Sequence, residues 1–162
     1  SENQIQLLES SIKLSVEAGA KVLCGGKRVA NSKGNYFEPT IIECSNRNVN
    51  CATEELFFAC LSVIKYETEE EAIQIANNTI YGLAGAIYTE DKVKAERVAR
   101  KLDAGIIYKN TYRWVSPHVS YGGRKLSGYG RLSGENVFDQ METKKSVWTA
   151  LSPSTEDPFR IR

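Results

Sequence analysis

Three short apolar runs alternate with two stretches of helical periodicity between Cys60 and Lys109, and no other feature of the sequence restricts the fold as tightly. Cys60 to Tyr66 (CLSVIKY) reads as a buried strand. Thr68 and Glu71 stand three residues apart ahead of Ala72, Ile75 and Ala76, the pattern of a capping box that opens an amphipathic helix. Leu83 to Thr89 (LAGAIYT) is a second strand. Val93, Ala95, Val98, Ala99 and Leu102 then recur at helical spacing among Lys and Arg, and Asp103 to Gly105 stops that helix before a third strand, Gly105 to Lys109 (GIIYK). Such closely spaced strands and helices predict right-handed crossovers in a mainly parallel sheet, an α/β three-layer domain.

The flanks extend this pattern. Ile5, Leu8, Ile12 and Val16 share a helical face, and Gly19 provides the left-handed stop. Lys21 to Cys24 and Thr40 to Glu43 read as two short strands around a polar turn. Asn110 to Arg131 forms a long loop rich in hydroxyl side chains and glycine, of the kind retained for sites or interfaces. Lys144 to Leu151 predicts one more strand, and the terminal SPSTEDPFRIR is expected to lie along the surface or against a partner.

Composition narrows the function classes. The 162 residues are 41% hydrophobic, and a chain of this length buries roughly 70% of its unfolded surface, so no metal or disulfide staple is needed. Lys plus Arg number 21 against 20 Asp plus Glu, a formal net charge of +1, which argues against nucleic acid and acidic membranes as partners. No apolar run approaches the ~20 residues of a membrane span, and the first segment lacks the basic start and apolar core of a secretion signal. Cys24, Cys44, Cys51 and Cys60 form no CxxC pair, and the single His cannot complete a zinc site with them, so reduced thiols in a cytoplasmic setting are expected. The first residue is Ser rather than Met, as in a processed or truncated piece.

Taken singly, the chemical signals are weak. SGYGR at 127–131 has neither the spacing nor the setting of a phosphate loop and reads as a turn. Glu54 and Glu55 are a carboxylate pair able to act as acid and base or to accept hydrogen bonds from a ribose diol, with a solvated first turn of a short helix as the plainer reading. Cys60 lies within an apolar strand pattern, which favours core packing over nucleophilic use, whereas Cys51 is left open between the two. His118 has no Ser or Cys partner at a familiar spacing and reads as a loop residue.

Taken together, the motifs resemble the NAD(P)-dependent aldehyde dehydrogenases. EELFFACLSVIKYETEEEAIQIANNTIYGLAGAIYTED, from Glu54 to Asp91, is similar to the stretch where that family's EEIFGPV precedes a strand, a helix and NxTxYGLA. VARKLDAGIIYKNTY and YGGRKLSGYGR resemble its AGxxxxN and FGGxKxSGxGRExG segments, and GAKVLCGG and GNYFEPTII fit the region before them, so the resemblance runs from Gln4 to Trp148. It implies the C-terminal portion of an aldehyde dehydrogenase catalytic domain, residues 1–143, followed by an oligomerisation strand and tail, 144–162.

The resemblance also implies a chemistry: a Cys thiolate attacks an aldehyde, hydride passes to NAD or NADP, and water releases the carboxylic acid with help from a Glu base. In that family the nucleophile, the base, the oxyanion-holding Asn and the dinucleotide domain lie upstream of the region represented here. The isolated chain is therefore expected to be inactive, with no catalytic residue of its own and no tight hold on the cofactor. Glu55 matches the Glu that accepts hydrogen bonds from the nicotinamide ribose, and Phe57 the aromatic residue beside the nicotinamide. Asn110, Arg113, Val115 and Tyr121 match positions along the substrate channel, and an Arg there suits an aldehyde bearing a carboxylate or another acceptor. Four positions depart from the family: Phe58 and Ala59 stand for GlyPro, Tyr121 for Phe, and Leu132 for the Glu after Arg131. A homodimer or higher oligomer formed through Lys144 to Leu151 is implied as well. The alternative is a stand-alone, non-catalytic remnant serving as an oligomerisation or regulatory module.

Overall fold

A computed structural model describes residues 1–30, 32–45, 47–149 and 151. Helix α1 (Glu2–Glu17) buries Ile5, Leu8 and Ile12 as the periodicity predicts, together with Ser11 and Ser15, while Val16 is 46% exposed. At 100° per residue the buried arc is centred toward Leu8 and Ser15, which leaves Val16 on its rim. Ser15 is tolerated there because its hydroxyl donates to the Ser11 carbonyl (2.7 Å) and accepts the Cys51 N–H (2.9 Å). Gly19, at φ +90°, ends the helix in the conformation expected of it.

Strands β1 (Lys21–Cys24) and β2 (Thr40–Cys44) pair antiparallel, and β3 (Cys60–Ile64) joins β2 in parallel with Thr40 opposite Cys60 and Cys44 opposite Ile64. The single turn α2 (Asn50–Thr53) lies between β2 and β3 in sequence and packs on α1. Ile5, Leu8, Ile12, Ala20, Phe37, Ile42, Cys44, Val49 and Cys51 make one core beneath these elements, so both Cys51 and the partly buried Cys60 belong to packing. Arg28 bridges the layers by donating to Glu2 (2.7 Å) and Glu9 (2.8 Å) of α1.

Beyond β3, Thr68 caps α3 (Glu69–Asn77) by accepting the Glu71 N–H at 3.1 Å, while the Glu71 carboxylate reaches back to the Glu67 N–H at 2.7 Å. A two-residue strand β4 (Tyr81–Gly82) leads into β5 (Ala84–Ile87), which pairs in parallel with β6 (Ile106–Lys109) across α4 (Lys92–Lys101). Ala95, Val98 and Ala99 of α4 are covered, but Val93 is 72% exposed. The helices are tied by Arg97 to Glu69 (2.6 Å). Strand β7 (Arg124–Lys125) pairs antiparallel with β4, and α5 (Asn136–Met141) follows.

Two expectations change. The strands do not form one mainly parallel sheet: they fall into a three-stranded mixed sheet and two separate pairs, because no strand in the described residues joins β3 to β5. Residues 144–149 form no strand, since no ladder partner faces them among the described residues, and Ala150 lies outside those residues.

Candidate cofactor and substrate cavities

Glu54 and Glu55 follow the helical turn α2 instead of opening a helix, because α2 ends at Thr53 and Glu54 is already extended. The connection from Glu54 to Ala59 carries Glu55 and Phe57, the two residues expected on the cofactor side. Glu55 is exposed at the edge of a cavity of about 460 Å³ whose other wall is the segment from Tyr81 to Ala86, with Asn77, Asp103 and Ser127 beside it. Its carboxylate makes no hydrogen bond with a described residue and so retains its acceptor capacity. Phe57 stands at φ +49° with its ring 76% exposed, a conformation that turns the chain sharply at this point.

The next residue explains how the GlyPro substitution is accommodated. Phe58 turns inward, where its ring meets Phe37 edge-on at 5.6 Å and 81°. Its bulk is taken up by the core and leaves the connection open on the Phe57 side. The Ala59 carbonyl accepts the Thr40 N–H at 2.8 Å, which registers the connection against β2.

A cluster of polar groups shapes the 460 Å³ cavity from behind. Asn77 donates to the Lys101 carbonyl (2.8 Å) and accepts the Asp103 N–H (2.7 Å), closing the exit of α4 onto the end of α3. Asp103 pairs with Arg124 (3.1 Å) and Lys125 (3.3 Å), and Lys125 also donates to the Asn77 and Thr79 carbonyls. Ser127 accepts the Gly82 N–H at 3.0 Å, so the SGYGR segment is the tail of a docked turn, as its spacing predicts. Gly105 is required by close approach: a Cβ there would meet the Gly122 carbonyl directly, and that contact seats the YGG segment against the start of β6.

The residues expected along a substrate channel separate into two groups. Val115 and Tyr121 line a second cavity of about 280 Å³ with Tyr108, Trp114, Ile106 and Ser120. Tyr121 is pinned by paired backbone hydrogen bonds with Leu132, both 2.7 Å, and the Tyr108 hydroxyl donates to the Trp114 carbonyl at 2.9 Å. Asn110, at φ +54°, instead clamps the chain: its amide donates to the Thr89 carbonyl and accepts the Thr89 N–H, each at 2.8 Å. Arg113 lies on the outer side, its guanidinium carbon 6.0 Å from the Tyr112 ring centre, and Tyr112 meets Tyr108 edge-on at 5.6 Å. Glu55 and the pair Val115 and Tyr121 thus border different cavities.

Trp114, Tyr108 and Ser120 were not singled out by sequence reasoning. Trp114 sits in an irregular loop and Tyr108 on a strand, so periodicity marks neither as a cavity wall, and only the density of aromatic residues from 108 to 121 points there. His118 is exposed, and its backbone N–H donates to Ser116 Oγ (3.3 Å), as expected of a loop residue. Burial pushes the Cys60 thiol up to about 11 and raises Cys44 as well, which removes both as thiolate nucleophiles. No cluster of metal-binding side chains occurs among the described residues, and none of their helices is long and apolar enough to cross a membrane.

Comparison with known proteins gives the ancestry. Residues 1–147 match the model of the aldehyde dehydrogenase family. The chain is 41% identical over 161 residues to the (Z)-2-((N-methylformamido)methylene)-5-hydroxybutyrolactone dehydrogenase of Acinetobacter baylyi, covering 98% of this chain and 33% of that protein. It is 36% identical over 155 residues to the betaine aldehyde dehydrogenase of Bacillus subtilis, covering 94% and 32%. Among solved structures, the Staphylococcus aureus betaine aldehyde dehydrogenase in complex with NAD+ superposes with a TM-score of 0.88 at 34% identity, covering 99% of this chain and 32% of that one. The chain spans about a third of the length of these relatives.

Proposed function

The chain belongs to the aldehyde dehydrogenase family, and from that premise we propose that it is the C-terminal catalytic-domain portion of an NAD(P)-dependent enzyme oxidising an aldehyde to a carboxylic acid. The observation that carries this reading is the state of its parallel ladders. β3 turns Leu61 (59% exposed) and Val63 (37% exposed) outward, and β5 exposes Ala84 and Ala86. Parallel strands are ordinarily covered on both faces. These faces are finished for burial, and the remaining two thirds of a relative's length is what would cover them.

Within that reading, Glu55 accepts from the ribose hydroxyls and Phe57 packs by the nicotinamide. The free carboxylate of Glu55 and the exposed ring of Phe57 fit those roles. When bound, the cofactor supplies the hydride acceptor. Val115 and Tyr121 line the substrate channel, Arg113 stands at its mouth, and Asn110 holds the start of the loop. Self-association through 144–151 belongs to the same proposal: Val147 and Trp148 are 79% and 94% exposed, as a segment that docks on a second copy would present them. The setting is cytoplasmic, where the four cysteines stay as thiols.

Sequencing the coding DNA on the 5′ side of the Ser1 codon tests the proposal. The expected result is an open frame running back through a nucleophilic Cys and a dinucleotide-binding domain, with the encoded protein reducing NAD or NADP in the presence of aldehyde. A frame opening at Ser1, with no associated subunit carrying such a Cys, contradicts it and leaves a stand-alone scaffold. In the whole protein, Glu55→Gln raises the KM for cofactor about tenfold, the cost of weakening a charge-assisted hydrogen bond.

A further inference from the structure

The helical turn α2 and the helix α3 both end without a basic residue in their last turn. Their terminal carbonyls therefore lack a cation of their own at the negative end of the helix dipole. Arg47, in the loop after β2, serves both. Its Nη2 donates to the Ala52 carbonyl of α2 at 3.1 Å and its Nη1 to the Ile75 carbonyl of α3 at 3.3 Å. The Ile75 carbonyl is open to it because the Thr79 N–H, which would reach that carbonyl in a longer helix, bonds to the Asn77 carbonyl instead.

Both carbonyls belong to the frame of the Glu55 cavity. Ala52 stands three residues before Glu55, and Ile75 precedes Ala76 and Asn77, which line the 460 Å³ cavity with Glu55. A neighbouring cavity of about 620 Å³ is lined by Arg47 and Glu54 and shares Asn77, Thr79 and Asp103 with the first. Arg47 thus lies behind the Glu55 cavity and ties the approach to the Glu54–Ala59 connection to the end of α3.

This tie has a cost. The Arg47 Nε is buried without a hydrogen-bond partner among the described residues, and an unpaired buried donor opposes folding. What the guanidinium supplies in return is a rigid planar fork, which holds its two acceptors at a fixed separation as a flexible ammonium does not.

We propose that Arg47 is a positioning residue for the cofactor: by fixing the end of α2 against the end of α3 it sets where the Glu55 carboxylate stands in its cavity. This rests on the reading of Glu55 as the acceptor for the ribose hydroxyls, and it adds the residue that places that carboxylate.

The test is a double-mutant cycle on the whole protein, with Arg47→Gln, Glu55→Gln and the two combined, read as kcat and as KM for NAD or NADP. The expected result is that Arg47→Gln raises the cofactor KM about fivefold with kcat within about twofold of the parent, and adds nothing further once Glu55 is Gln. Arg47→Lys, which keeps a cation at both helix ends without the planar fork, gives an intermediate KM and carries the same cycle should Arg47→Gln not fold. A cofactor KM that neither Arg47 variant moves, while Glu55→Gln does, overturns the inference and leaves the reading of Glu55 intact. Factors that multiply in the combined variant also overturn it, since Arg47 would then act without Glu55. A KM unmoved by Glu55→Gln overturns both.

Discussion

From α1 to β3, nine apolar side chains close into one buried cluster, whereas among the described residues beyond β3 Ala95 is the buried apolar residue that α4 supplies. The same contrast appears in the exposed residues: Ile80, Leu83, Tyr88, Val93, Trp114, Val115, Val119 and Leu126 all stand more than 40% exposed in the second region. The difference teaches that the two regions are stabilised in different ways. The first carries its own core, and the second is held by backbone ladders and polar clamps such as Asn77, Asn110 and Lys125, with its apolar faces directed outward.

Substitutions can break or sharpen that comparison. The largest effect is expected from Leu8→Ala in the closed core, where Leu8 is fully buried: a loss of about 2–5 kcal/mol in urea unfolding of the chain. Gly105→Ala strikes the second region's backbone packing. The new methyl group meets the Gly122 carbonyl, and a loss of about 1–3 kcal/mol is expected, with amide exchange of 106–109 accelerated while α1 is spared.

A smaller effect follows from Arg28→Gln. Arg28 holds the Glu2 and Glu9 carboxyls below their ordinary value of 4.5 by hydrogen bonding to them. A carboxylate lowered in the folded state stabilises above its unfolded pKa, and that contribution disappears as pH falls through the lowered folded value. The variant is therefore less stable at neutral pH, and its thermal midpoint falls less steeply below pH 4.5 than that of the parent. The smallest effect is expected from Leu61→Lys on the uncovered face of β3, within about 0.5 kcal/mol in the chain itself. A loss of core size at Leu61 would show that the face is already covered and would break the comparison.

Much of the order of elements was legible in the sequence. The alternation from Cys60 to Lys109 identified β3, α3, β5, α4 and β6 because strand and helix periods differ locally and need no partner to be read. The division into separate sheets was not legible, since pairing of β3 or β5 depends on residues far away in sequence. Ser15 was missed because a helical stripe is sought among apolar residues, and its burial depends on the Cys51 N–H contributed by α2. Phe58 shows the converse: its identity marks a departure from the family motif, but only its contact with Phe37 shows that the core absorbs it. Of the site, Val115 and Tyr121 were brought to one cavity as their spacing in the loop allowed, while Trp114 and Ser120 became visible only through the turn of the chain around them.

Hydrogen exchange on the 162-residue chain tests the contrast most directly. The account predicts strong protection of the amides of α1 and β2 over the closed core, and exchange from β5 and β6 that is faster by several orders of magnitude, because local opening there exposes little new apolar surface. Equal protection across both regions would contradict it, since the second region would then hold a core of its own and its outward faces would need no cover.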